Sequence, residues 1–146
     1  TNRGVEPERY GLQLSIYKLA VEKVLGRAVG ECLAYFVRHP EGRGLVKVPV
    51  RRPGPRHIFH QYTIRAARRD GLRDHLSARG IGSGVYYPVP LHLQKCFEFL
   101  GYARGDFPQS ERAAEEVLSL PIFPEMTTDD QATVVRETAS FYGLPA

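Results

Sequence analysis

Hydrophobic and polar residues recur along this chain with the spacings of short strands and amphipathic helices. Between residues 58 and 142 the pattern predicts, in order, a strand over 58–66, a helix over 69–79 ended by Gly80, a strand over 82–87, a short helix over 93–100, a helix after Asp106 that packs Val117 and Leu118, an extended segment over 120–124 and a final helix. Two residue pairs have helix-capping spacing, Asp106 with Gln109 and Thr127 with Asp130. Strands separated by helices indicate an α/β fold, with α+β as the alternative, built as a small two-layer sandwich with helices on one face.

The first fifty residues form a smaller predicted unit. A helix ended by Gly26 precedes a hairpin made from strands over 32–37 and 45–50. The segment over 51–56 is rich in Pro, Gly and Arg, which is typical of a linker. We therefore expect three parts: a helix and hairpin over 1–50, the linker, and a small domain over 57–146.

Composition and charge narrow the class of protein. The 146 residues are 42% hydrophobic and 25% charged, as in a soluble globular chain, and no apolar run reaches membrane-spanning length. Cys32 and Cys96 are far apart and the polar start shows no signal peptide, so we expect free thiols and a cytoplasmic protein. The net charge of +4 is not concentrated in either half, which argues against nucleic acid as a partner. The spacing of His57, His60 and His92 matches no zinc pattern, so no metal site is predicted.

Candidate binding residues gather in one stretch of the second half. Two prolines stiffen a loop that carries four polar or aromatic side chains: Tyr86, Tyr87, His92 and Gln94. Stiff loops on a scaffold are where binding residues concentrate. On composition alone, an ordered loop whose tyrosines cover a core is the commoner case.

A set of short motifs gives this stretch a more specific interpretation. In order, the motifs are His57-x-x-His60-Gln61-Tyr62-x-Ile64-Arg65, Arg69-Asp70-x-Leu72, Tyr87-Pro88-x-Pro90-Leu91-His92-Leu93-Gln94, Leu100-Gly101-Tyr102, Gly105-Asp106-Phe107-Pro108, Glu111 and Leu118-Ser119-Leu120-Pro121-x-Phe123-Pro124. With this order and spacing, residues 57–142 resemble the C-terminal small domain of the DegT/DnrJ/StrS family. Members of that family are pyridoxal-phosphate (PLP) aminotransferases that act on nucleotide-linked keto-sugars.

The resemblance implies a substrate-covering domain without its own catalytic centre. It implies that Tyr86 and Tyr87 face the sugar, with His92 and Gln94 as weaker candidates, although family members often carry His where this chain has Tyr86. The Schiff-base lysine and the acidic partner of the cofactor lie in the family's large domain, and Lys95 is not at the Schiff-base position. We therefore expect no catalytic residue in this chain, no bound PLP, and a truncated relative that is inactive alone.

A second resemblance concerns the first fifty residues. Thr1-Asn2-Arg3, Gln13-x-x-x-Tyr17 and Leu25-Gly26-Arg27 are similar to the end of the PD-(D/E)xK nuclease domain of bacterial helicase–nucleases. In that family Gln and Tyr support a Mg²⁺ site whose carboxylates would lie before Thr1. The alternative for Gln13 and Tyr17 is an amphipathic helix with a surface Gln and a packed Tyr.

Two other functions remain open from sequence. One is a nuclease remnant that acts on DNA or docks on a helicase. The other is a non-enzymatic interaction module that pairs with an intact large domain or with a second copy of itself.

Overall fold

The computed structural model describes residues 44–49 and 59–144, and these residues form a sheet with helices packed against it. The predicted N-terminal helix, the strand over 32–37 and the linker over 51–56 lie outside the described residues, as do Gln13 and Tyr17. The division into three parts therefore stays a prediction.

Three antiparallel strands make up the sheet. Strand β1 covers Val46–Lys47, β2 covers Tyr62–Ala66 and β3 covers Val117–Leu120, with β2 in the centre. The strands predicted over 45–50 and 58–66 are therefore present, but both are shorter than predicted.

Alternation along β2 separates a buried face from a half-exposed face. Tyr62 and Ile64 point into the core, and the register places Leu120 and Leu118 of β3 directly beside them. On the opposite face, the Thr63 hydroxyl hydrogen-bonds that of Ser119, the two oxygens lying 2.8 Å apart. A single apolar face is what a two-layer arrangement requires.

The helix that follows β2 packs on the buried face of the sheet. Helix α1 spans Arg69–Ser77, and its Leu72 and Leu76 are fully buried in the same core as Ile64. This confirms the helix predicted from the apolar spacing. The Arg69 side chain joins the start of α1 to the sheet, because its Nη1 donates to the carbonyl oxygen of Val117 at 2.8 Å.

The last helix of the described residues packs on α1. We call it α3; it spans Thr128–Phe141 and contributes Val134 to the core. The predicted capping pair is confirmed: Thr127 Oγ1 accepts from the Asp130 amide at 3.1 Å, and Asp130 accepts from the Thr127 amide at 2.9 Å. The sheet and its helices confirm the predicted two-layer α/β sandwich.

The helix before β3 differs from the prediction at both ends. Helix α2 spans Pro108–Glu116, and Asp106 does not cap it; its carboxylate instead accepts from the Ala103 amide at 2.8 Å. The prediction that the helix packs Val117 and Leu118 was also wrong. Both residues belong to β3, because backbone pairing with Arg65 and Ile64 of β2 draws them into the sheet.

The segment between α1 and α2 is more irregular than the sequence predicted. Instead of a strand over 82–87, a single bridge pairs Gly84 with Ser119 of β3. Instead of one helix over 93–100, two 3₁₀ turns cover Leu91–Leu93 and Lys95–Leu100. Proline has no amide hydrogen, so a strand could not continue through Pro88 and Pro90.

Candidate functional site

Tyr86 and Tyr87 follow shortly after Gly84, the residue that forms the bridge at the edge of the sheet. Their side chains are 53% and 73% exposed, and their rings meet edge to face with centroids 6.0 Å apart. Pro88 follows directly and restricts the backbone on that side. Two large rings are therefore presented to solvent on a stiff segment, at low entropic cost for a ligand.

A shallow groove begins at Tyr87. Its lining residues are Tyr87, Pro88, Val89, Leu93, Gln94 and Lys95. The Gln94 amide lies across the proline segment, and its Nε2 donates to the Val89 carbonyl oxygen at 3.3 Å. The groove therefore combines apolar walls with a phenol, an amide and one cation.

His92 lies under the loop and faces the protein. Its Nε2 lies 3.0 Å from Oε1 of Glu111 in α2, and the side chains are only 7% and 10% exposed. The ring also packs on Phe107, with centroids 4.8 Å apart. His92 thus ties the first 3₁₀ turn to the start of α2.

The Glu111 carboxylate also accepts a hydrogen bond from the backbone. The same Oε1 accepts from the amide of Gly105 at 2.8 Å. Hydrogen bonding from Gly105, and after it from His92, lowers the pKa of the Glu111 carboxyl, while burial acts in the opposite direction. Glu111 therefore joins three segments: the 3₁₀ turn, the loop before α2 and α2 itself.

In Glu111→Gln, the free energy of unfolding should change less as the pH falls into the acidic range than it does in wild type. Because the folded pKa lies below the ordinary value of 4.5, the unfolded state binds more protons between the two values. The stability from the carboxylate is present above the unfolded pKa and is lost as pH falls through the folded pKa. The free energy of unfolding of both proteins is measured with urea from pH 7 to pH 3. Wild type should be the more stable of the two at pH 7, and its advantage should shrink as the pH falls.

Glu115→Gln is the matched control for this measurement. Glu115 lies on the same helix but pairs with Arg104 in solvent, the two side chains being 62% and 72% exposed. Exposed ion pairs of this kind contribute little to the free energy of unfolding. An advantage of wild type over Glu111→Gln that stays constant down to pH 3 would show that the charge of Glu111 is unimportant.

The structure separates the four predicted site residues into two groups. Tyr87 and Gln94 line the groove and Tyr86 lies beside Tyr87, whereas His92 is buried against Glu111. Glu111 belonged to the family motifs, but no local spacing connects it to a residue 19 positions earlier.

The groove does not fit PLP as a cofactor. A PLP site needs a lysine for the Schiff base and an acidic residue for the pyridine nitrogen. Lys95 lines the groove, but none of the other lining residues is acidic.

The described residues also contain no candidate metal centre. Within 44–49 and 59–144 there is no group of three His, Cys, Asp or Glu side chains that could hold a metal ion. Over the same residues, no helix has the length and apolarity needed to cross a membrane.

Comparison with known proteins relates this chain to a family of aminotransferases. Residues 27–138 match the family model of the DegT/DnrJ/EryC1/StrS aminotransferases. A "pleiotropic regulatory protein" of Geobacillus stearothermophilus is 52% identical over 98 residues, which is 67% of this chain and 26% of that protein. An enzyme of Acidithiobacillus ferrooxidans, named as a UDP-N-acetyl-3-dehydro-alpha-D-glucosamine 3-aminotransferase, is 41% identical over 107 residues, 71% of this chain and 28% of the enzyme.

Solved structures also match this chain in fold. The crystal structure of Streptomyces venezuelae DesV with a ketimine intermediate matches with a TM-score of 0.73 and 31% identity, over 83% of this chain and 32% of that one. Structures sharing the fold include PLP and PMP forms of a putative sugar aminotransferase. The chain spans about a quarter of the length of the curated relatives named above. The family match begins at residue 27, inside the segment that resembles a nuclease tail, and none of these comparisons supports the nuclease resemblance.

Proposed function

We propose a function from one premise: this chain belongs to the DegT/DnrJ/EryC1/StrS aminotransferase family. The family uses PLP, and its members include enzymes that act on nucleotide-linked sugars. We infer that the chain is the substrate-facing part of such an aminotransferase, in which an amino group passes from glutamate to a keto-sugar carried on a nucleotide diphosphate. The observation that carries the proposal is the pair of exposed tyrosine rings at the end of the groove.

Each candidate residue has a role in this proposal that follows from its surroundings. Tyr87 offers a ring and a hydroxyl to the sugar, and Tyr86 supports it from the side. Gln94 contributes its amide where the groove passes the prolines, while Lys95 favours an anionic group such as the diphosphate. His92 acts indirectly, by holding the loop on Glu111.

Transamination by the chain alone is not part of the proposal. The lysine and the acidic residue that bind PLP would have to come from outside the groove, because the groove lacks an acidic partner for Lys95. The residues of this chain would bind and orient the sugar and keep water from one side of it.

A second candidate function rests on exposed apolar side chains. Leu91, Phe99 and Leu100 are all more than half exposed, although such residues are usually buried. Large apolar side chains that are exposed together, as a group, are typical of interaction surfaces. The second proposal is therefore a module that docks on an intact large domain or on another copy of itself.

Ligand-titration NMR distinguishes the two functions. We expect UDP-N-acetylglucosamine to bind with a Kd in the millimolar range, a binding free energy of about −4 kcal/mol, because one domain supplies only part of a cleft. Shifts should cluster at residues 84–95, and duplex DNA with Mg²⁺ should cause none there. Concentration-dependent sedimentation without any ligand-induced shift would instead favour the interaction module.

A further inference from the structure

Two backbone hydrogen bonds hold Gly84 against β3. Its amide donates to the Ser119 carbonyl oxygen at 3.0 Å, and the Ser119 amide donates to the Gly84 carbonyl oxygen at 2.7 Å. These two hydrogen bonds attach the residue to the edge of β3. The backbone just before Tyr86 and Tyr87 is therefore anchored to the sheet.

The ring of Tyr86 rests on the other side of Gly84. A Cβ atom built on Gly84 would lie 2.8 Å from each of three atoms at the far end of that ring, Cε2, Cζ and Oη. Carbon atoms in ordinary contact are about 3.5–4.0 Å apart. The ring can therefore occupy this position only when residue 84 has no side chain.

The need for glycine at this position comes from close contact. The described glycines with positive φ are Gly80, Gly101, Gly105 and Gly143, and Gly84 is not among them. Another residue could therefore adopt the backbone conformation of Gly84 if the Tyr86 ring moved. Because the crowded atoms are the end of a flexible side chain, that movement would cost the fold little.

We propose that Gly84 is a specificity-determining positioning residue, which seats the Tyr86 ring against the sheet and thereby sets where the Tyr86–Tyr87 pair stands beside the groove. This inference rests on the proposed function for its ligand, a nucleotide-linked sugar. A side chain at position 84 would displace the Tyr86 ring by about 1 Å to restore normal contact distances. Displacements of that size matter for ligand orientation, because a shift of about 1 Å can alter rates by about 100-fold in enzymes.

The first test observes the rings without any ligand. NMR spectra of Gly84→Ala should show altered ring signals for both Tyr86 and Tyr87, with the thermal midpoint close to that of wild type. Gly82→Ala is the matched control, because a Cβ there would meet nothing within 4 Å. Unchanged Tyr86 ring signals in Gly84→Ala, or equal changes in Gly82→Ala, would overturn the proposal.

A second variant keeps the test valid if Gly84→Ala folds poorly. In wild type, the Gly84 Hα that points at the aromatic ring should resonate at an unusual frequency because of the ring current. In Tyr86→Ala that signal should return to an ordinary glycine value. An ordinary Gly84 Hα shift in the wild-type protein would show that the ring does not rest there.

The last test concerns specificity. The apparent Kd values of UDP-N-acetylglucosamine and dTDP-glucose are measured by NMR for wild type, Gly84→Ala, Tyr86→Ala and the double variant. Gly84→Ala should change the ratio of the two constants by about threefold to tenfold, the range expected for an aromatic pair. It should change nothing further in the Tyr86→Ala background.

Two results would overturn the specificity claim. One is an equal change in both Kd values, and the other is an equal effect of Gly84→Ala with and without Tyr86. Absence of binding to the wild-type chain would overturn the proposed function and the specificity claim with it. The ring signals would still decide independently whether Gly84 positions Tyr86.

Discussion

Leu72→Ala should lower the free energy of unfolding by about 2–5 kcal/mol, the cost of truncating a buried leucine in a tightly packed core. Leu72 is fully buried between α1 and the sheet, in the same cluster as Ile64 and Leu118. Because small domains are stable by only about 5–15 kcal/mol, this single change should remove a large part of the total. Urea unfolding followed by circular dichroism measures the difference directly.

Leu91→Ala is the matched control for the core variant. The substitution is chemically identical, but Leu91 lies in the first 3₁₀ turn and is 68% exposed. Its effect should stay within about 0.5 kcal/mol, as for most surface substitutions. A loss for Leu72→Ala no greater than that for Leu91→Ala would mean that α1 does not pack on the sheet as described.

Tyr87→Ala should abolish detectable binding of a nucleotide-sugar to this chain. Truncation of a central aromatic hot spot costs about 2 kcal/mol or more, which is over tenfold in Kd, and such a loss from a millimolar Kd leaves no measurable complex. Tyr87→Phe keeps the ring and removes the hydroxyl, so it should weaken binding without abolishing it. The NMR shifts of residues 84–95 during titration are the measurement.

Phe99→Ala is the control for Tyr87→Ala. Phe99 is the most exposed of the large apolar side chains in the described residues, at 80%, and it does not line the groove. Binding should therefore survive its truncation. Retained shifts in Tyr87→Ala, or their loss in Phe99→Ala, would show that the ligand does not bind in the groove.

Local patterns in the sequence were sufficient wherever an element is defined by its near neighbours. Leu72 and Leu76 are four residues apart, so one face of α1 is apolar before any tertiary contact forms. Thr127 and Asp130 cap α3 through bonds that span three residues. The motifs between His57 and Tyr142 likewise predicted the family to which the chain belongs.

Elements whose type depends on a distant partner could not be predicted in this way. Val117 and Leu118 continue the apolar pattern of a helix, yet pairing with β2, more than fifty residues earlier in the chain, places them in a strand. Conversely, the residues around Gly84 have the composition of a strand but pair with β3 through one bridge. Local propensity is a weak preference, and backbone pairing across the sheet overrides it.

The candidate site divides along the same line. The sequence by itself determined which side chains the loop carries and that two prolines stiffen it, because residue type and proline geometry are local properties. Only the tertiary structure decided their surroundings: Tyr87 at a groove, His92 buried on Glu111, and Gly84 beneath the Tyr86 ring. Those contacts join the loop to α2 and β3, and which surfaces meet across such distances is settled when the whole core packs.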